Sequence, residues 1–101
     1  IIPLGYAPIR NWDLSRGYMF KMTIEGNTVL NLPSNLRPGS WVMYVKQDAV
    51  GGHRMDFQAG YYGPRGLLPV LSTLPNAVDI LTFTSDGEHL AVSIQANLAL
   101  A

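Results

Sequence analysis

Apolar and polar residues alternate with a period of two along much of this chain, as they do in half-buried strands. The cleanest run is Tyr18 to Glu25, with Tyr18, Phe20, Met22 and Ile24 on one face and Met19, Lys21, Thr23 and Glu25 on the other. Between Ser40 and Phe57 two such runs flank a polar, glycine-containing connection. Trp41, Met43 and Val45 share one face there, Val42, Tyr44 and Lys46 the other, and His53, Met55 and Phe57 alternate with Arg54 and Asp56. The connecting Gln47-Asp48-Ala49-Val50-Gly51-Gly52 holds an aspartate that can cap its own turn and two glycines free to take positive φ. This predicts a β-hairpin, around which the rest of the chain is arranged.

The remaining segments extend the same reading. Residues Ile1 to Pro8 are an irregular arm, Ile9 to Leu14 a candidate edge strand, and Ser15-Arg16-Gly17 a turn. Gly26-Asn27 has the composition of a two-residue hairpin connection returning into Thr28–Leu32, and Pro33–Gly39 reads as a loop. From Ala59 to Pro75 alternation stops among glycines and prolines, and a connection of that length is usually functional or packed on a partner. Val78–Ser85 is a strand, Asp86-Gly87 a turn, and His89–Ala96 a strand with Leu90, Val92, Ile94 and Ala96 on one side; residues 97–101 are a tail. No amphipathic helix of three turns and no internal repeat is visible. The expectation is a single all-β domain over residues 1–101, an antiparallel β-sandwich or small barrel of about seven short strands with one long irregular Pro/Gly loop.

Composition narrows the partners. A chain of 101 residues buries roughly two-thirds of its unfolded surface, enough for one core. Only 14% of residues are charged, against ~25% in ordinary soluble domains, which predicts apolar surface covered by copies of the chain or by another protein. Seven basic and seven acidic residues cancel, so no field favours nucleic acid or an anionic membrane. The lack of cysteine excludes disulfides, thiolate metal sites and cysteine nucleophiles. No apolar run approaches the ~20 residues of a membrane span.

Candidate chemistry is sparse. His53 and His89 lie on different predicted hairpins with no third ligand at metal-site spacing, so neither a metal nor a cofactor is expected. No serine stands in a nucleophile motif, and no enzymatic activity is expected. Gln47, Asp48, Gly51 and Gly52 are read as turn residues, and so are Asp86 and Gly87. Asp79, between Val78 and Ile80, is read as a structural carboxylate paired with a turn or with an arginine such as Arg54. The aromatics are more informative. Trp41 belongs to the core by its alternation, whereas Trp12, Tyr61 and Tyr62 offer flat faces suited to sugars. Two readings stay open: a glycan platform built from these three, or packing against a neighbouring subunit or another loop, in a set that adds Pro64, Arg65, Leu67 and Leu68.

The order of the landmarks carries a resemblance. Pro38-Gly39-Ser40 precedes a strand, then come Gln47-Asp48-Ala49-Val50-Gly51-Gly52, an aromatic at Phe57, and Tyr62-Gly63-Pro64-Arg65-Gly66. Pro69 with Leu71-Ser72-Thr73, Ala77-Val78-Asp79-Ile80-Leu81, Phe83 and Ser85-Asp86-Gly87 follow in turn. Together with Gly26-Asn27, Thr28, Leu30 and Leu32 this resembles a β-domain of tailed-bacteriophage virion proteins, over roughly residues 14–92. His53-Arg54 stands where that family more often has Arg-Thr. The resemblance implies a β-sandwich-like virion module in a tail fibre, a tail tip or a capsid decoration (cement) protein. It implies a homo-oligomer, with a trimer favoured, contacts with major capsid or tail proteins, and no catalytic residues. Adhesion to a host-surface glycan is the alternative use.

Overall fold

A computed structural model describes residues 1–98. Among them are nine strands: β1 (Ile2–Pro3), β2 (Ile9–Arg10), β3 (Met19–Ile24), β4 (Thr28–Leu30), β5 (Pro38–Gln47), β6 (Met55–Phe57), β7 (Tyr61–Tyr62), β8 (Val78–Asp86) and β9 (Leu90–Leu98). They form a six-stranded sheet in the order β1-β3-β5-β8-β9-β7 and a three-stranded sheet in the order β2-β4-β6. The all-β expectation holds, but the pairing is mixed. β1, β3 and β5 run parallel, as do β2, β4 and β6, while β5 with β8 and β8 with β9 are antiparallel.

From β1 to β6 the chain changes sheet at every step, so it advances as three coils, each giving one strand to either sheet. Ile2 lies opposite Phe20, and Met19 opposite Val42, in the large sheet; Ile9 lies opposite Val29, and Thr28 opposite Met55, in the small one. The coils are tied at both kinds of crossing. On one side Asn27 accepts the Tyr6 hydroxyl on its carbonyl at 2.8 Å and the Arg54 N–H on its Oδ1 at 2.9 Å. On the other side Asn11, Asn31 and Gln58 each follow a strand of the small sheet at equivalent positions. Asn31 Nδ2 donates to Asn11 Oδ1 at 2.8 Å, and Gln58 Oε1 accepts the Leu32 N–H at 2.7 Å. The coils therefore repeat in space although the sequence shows no repeat. Ile9-Arg10-Asn11, Val29-Leu30-Asn31 and Asp56-Phe57-Gln58 share little beyond the closing amide.

This coiling replaces both hairpins expected upstream of residue 58. The run from Ser40 to Phe57 splits, its first half going to β5 and its second to β6 in the other sheet. Gln47 makes the split stable: its buried Nε2 donates to the His53 carbonyl at 2.8 Å and its Oε1 accepts the His53 N–H at 3.1 Å. Gly26-Asn27 likewise leads from β3 into β4 of the opposite sheet rather than back alongside it. Alternation specifies which face of a strand is buried and leaves its neighbour open. Only the hairpin at Asp86-Gly87, among those expected, joins two antiparallel neighbours, β8 and β9.

Other boundaries shift for local reasons. The candidate strand over Ile9–Leu14 keeps only Ile9–Arg10, at the edge of the small sheet. Asp13 Oδ1 accepts the Ser15 N–H at 2.8 Å and caps a short 3-10 turn over Leu14–Arg16. Pro38 and Gly39 extend β5 because Asp86 and Ser85 lie opposite them. The long loop holds β7 and a 3-10 turn at Pro64–Gly66. Of the predicted tail, Asn97 and Leu98 belong to β9 and the rest lies outside the described residues.

The core lies between the sheets. Phe20, Met22 and Ile24 meet Trp41, Met43, Val45, Leu81, Phe83, Leu90 and Val92 from the large sheet, with Leu30 and Met55 from the small one. Each large side chain buried there contributes about 1.5–3 kcal/mol of transfer free energy.

Candidate binding surface

Only one face of the six-stranded sheet meets the core. Its other face carries the outward residues of the alternation, and the register sets them in rows. Lys21, Tyr44 and Ile80 are neighbours across β3, β5 and β8. Met19, Val42, Thr82 and Ser93 form the adjacent row. Two concavities open on this face. One of about 610 Å³ lies against the N-terminal arm, with Tyr6, Lys21, Thr23, Tyr44, Lys46 and Val78 in its lining. The second, of about 260 Å³, lies where Tyr62, Gly63 and Pro64 border Thr82, Thr84 and Ser93.

The three aromatics expected to share a platform are separated. Trp12 is 5% exposed and packs on Phe20 and Phe83, with ring centroids 5.3 Å and 4.8 Å away. Tyr61 is 8% exposed; its hydroxyl donates to the Asn31 carbonyl at 2.6 Å and accepts the Trp12 indole N–H at 3.1 Å. Burial pushes the Tyr61 phenol well above its ordinary pKa. Both rings are thus core, and no sugar can stack on them. Tyr62, the next residue in the strand, points the opposite way and is 52% exposed, its ring edge-to-face with His89 at 4.9 Å. The period-2 rule separates the pair.

The carboxylates singled out in the sequence all hold backbone. Asp48 Oδ1 accepts the N–H groups of Val50 and Gly51, both at 3.0 Å, and approaches His53 Nε2 at the same distance. The Gly51 N–H chiefly lowers its pKa. Gly51 and Gly52 take φ of 72° and 77° in this crossing, and Gly87 takes 98° after Asp86. Asp86 Oδ1 accepts the N–H groups of Glu88 and His89, and its Oδ2 lies 3.0 Å from His89 Nδ1. That His89 contact, ahead of the backbone bonds, holds the Asp86 carboxyl well below the usual range and raises the His89 pKa. Asp79 is buried and binds the N–H groups of Ser72 and Asn97, not Arg54, which pairs with Asp56.

In the long loop, Pro64, Arg65 and Leu67 are exposed while Leu68 is half-buried against the core. The surface residues that sequence reasoning passed over are Lys21, Tyr44 and Lys46 in one concavity and Thr82, Thr84 and Ser93 in the other. Their signal was present as the polar positions of each alternating run. What was absent was any reason to place runs so far apart in the chain on one surface. Among the described residues no group of three or more His, Asp or Glu side chains is gathered as a metal site would need.

Coiled strands under one broad open sheet face define an all-β structural module. Residues 6–90 match the family described as "putative phage tail fibre C-terminal domain", and the chain belongs to that family. Of the two places left open by the sequence, the capsid exterior and the tail, this membership selects the virion tail. No curated protein and no solved structure matches the chain.

Proposed function

We propose that this domain is a joining element of a tail fibre, working by association with copies of itself and with other tail proteins, and that its role is mechanical rather than catalytic. The observation that carries this is the loop between β7 and β8. Leu67, Val70 and Leu74 are 71%, 78% and 61% exposed there, where the core does not need them. The loop is not loose, because Ser72 in its middle is bonded on both its N–H and its carbonyl. A fixed loop presenting three apolar side chains is suited to docking. An interface of ~1,000 Å² would contribute many kcal/mol at ~25 cal/mol per Å² before ordering costs. The expected assembly is a trimer.

Analytical ultracentrifugation of the purified chain tests this reading. The wild type should sediment as an oligomer. The double variant Leu67→Asp, Val70→Asp should be monomeric with unchanged melting. A wild-type chain that stays monomeric and binds no tail protein would remove the assembly role.

A second reading, adhesion to a glycan, is favoured by exposed Tyr62 beside a row of hydroxyls on the open face. Saturation-transfer NMR with host polysaccharide is its direct measurement.

A further inference from the structure

We propose that the hollow of about 260 Å³ beside Tyr62 is a subsite for a single neutral sugar ring of the hexose type. This rests on the glycan reading and names the residues and the sugar chemistry it would use.

Register creates the space. Tyr62 on β7 lies opposite Ala91 on β9, and Ala91 lies opposite Thr84 on β8. Tyr62 and Thr84 therefore stand two strand spacings apart, about 10 Å between backbones. Only the methyl of Ala91 rises between them. Two residues along, Thr82 and Ser93 are cross-strand partners and line the same hollow. The result is an aromatic wall, an apolar floor and three hydroxyls. A pyranose needs this combination, because its C–H face packs on an aromatic ring while its equatorial hydroxyls need donors and acceptors at the rim.

Two further observations favour a ligand. Thr84 and Ser93 are exposed and Thr82 is half-buried, so hydroxyl-bearing residues on two strands of the hollow are open to a ligand. The wall is also fixed: a Cβ at Gly63 would run into the Leu67 carbonyl, so the chain closes tightly behind Tyr62, and Pro64 stiffens the next step. The chemical class follows from charge. No carboxylate, lysine, arginine or histidine lines the hollow, and the nearby His89 is already engaged by Asp86. An anionic sugar gains nothing there.

The test is an amide-resolved NMR titration of the full chain with the methyl pyranosides of glucose, galactose, mannose and N-acetylglucosamine, and with glucuronate and galacturonate. At least one neutral pyranoside should shift Tyr62, Thr82, Thr84, Ala91 and Ser93 at millimolar concentration, with no uronate binding more tightly. Tyr62→Ala should weaken that binding at least tenfold, and the isosteric Thr82→Val should weaken it severalfold while leaving the spectrum folded. Shifts confined to the hollow around Lys21 and Tyr44 would overturn this subsite and leave the glycan reading standing. Shifts nowhere would overturn both. Undiminished binding by Tyr62→Ala would also defeat the assignment.

Discussion

Asp79 accepts the main-chain N–H of Ser72 on Oδ2 at 2.7 Å, and so fixes the middle of the long loop to the start of β8. Its Oδ1 accepts the Asn97 N–H at 2.6 Å, where the β8–β9 register shifts. From the other side Gln47 Nε2 donates to the Ser72 carbonyl at 2.9 Å. One buried carboxylate and one buried amide thus position the loop that carries the exposed Leu67, Val70 and Leu74. Replacing Asp79 with alanine leaves two N–H groups without their acceptor in a buried setting. The expected loss is roughly 2–5 kcal/mol of unfolding free energy, read from urea denaturation. A loss under about 1 kcal/mol would mean that the loop is held by packing alone.

Gly51 and Gly52 separate two effects that are usually confounded. Both have positive φ, 72° and 77°, so alanine is strained at either position by about 1–2 kcal/mol. At Gly51 a new Cβ would also lie 2.7 Å from the Thr73 carbonyl and the Pro75 nitrogen, whereas at Gly52 nothing lies within 4 Å. Gly51→Ala should therefore destabilise the protein clearly more than Gly52→Ala. Equal melting temperatures for the two variants would contradict the close approach of the β5–β6 crossing to the long loop.

The Tyr61 hydroxyl and the Trp12 indole share one acceptor, the Asn31 carbonyl. Tyr61→Phe removes one donor to that carbonyl and one acceptor from the indole, yet keeps the ring in place against Phe57. The expected cost is about 1 kcal/mol, or about 4–8 °C in Tm for a domain of this size, measured by calorimetry. Assembly should be unaffected, since neither residue reaches the surface.

The Asp86–His89 pair gives the β8–β9 turn a pH dependence. His89 has its pKa raised by Asp86, so its contribution is fully present below the ordinary histidine value and is lost as pH climbs through the raised one. Asp86 has its pKa depressed, so its contribution is present above the ordinary carboxylate value and is lost as pH falls through the lowered one. The turn is tightest between those limits, in mildly acidic solution. NMR titration of the His89 ring should give a midpoint above ~6.5 that falls in Asp86→Asn, where the largest cause of the shift is removed. An unshifted midpoint in the wild type would show that the contact does not persist in solution.

Much of the site was legible residue by residue. The turn aspartates bind the backbone around them because the relevant N–H groups lie two and three residues away, within reach of local reasoning. The opposite orientations of Tyr61 and Tyr62 follow from strand geometry. The partners of Asp79 were not legible, since Ser72 and Asn97 come near it only once the loop and β9 have closed around β8. The hollow beside Tyr62 was hidden for the same reason, as it needs β7 beside β9 and β9 beside β8.

Taken alone, the amino-acid order determines what is local in this protein: which residues can be strand, which face of each strand is buried, where the chain turns, and that no charge excess or thiol chemistry is present. The tertiary structure decided which strands are neighbours. Gly26-Asn27 and the Asp48–Arg54 crossing are compatible with either a reversal or a passage to the opposite sheet. The choice is made largely by groups far away, Tyr6 and Arg54 at Asn27 and Ser72 at Gln47, with His53 closing the second crossing locally. Side-chain alternation is a property of one strand, whereas a hydrogen-bonded neighbour is a property of two. Here the two partners are separated by a whole coil.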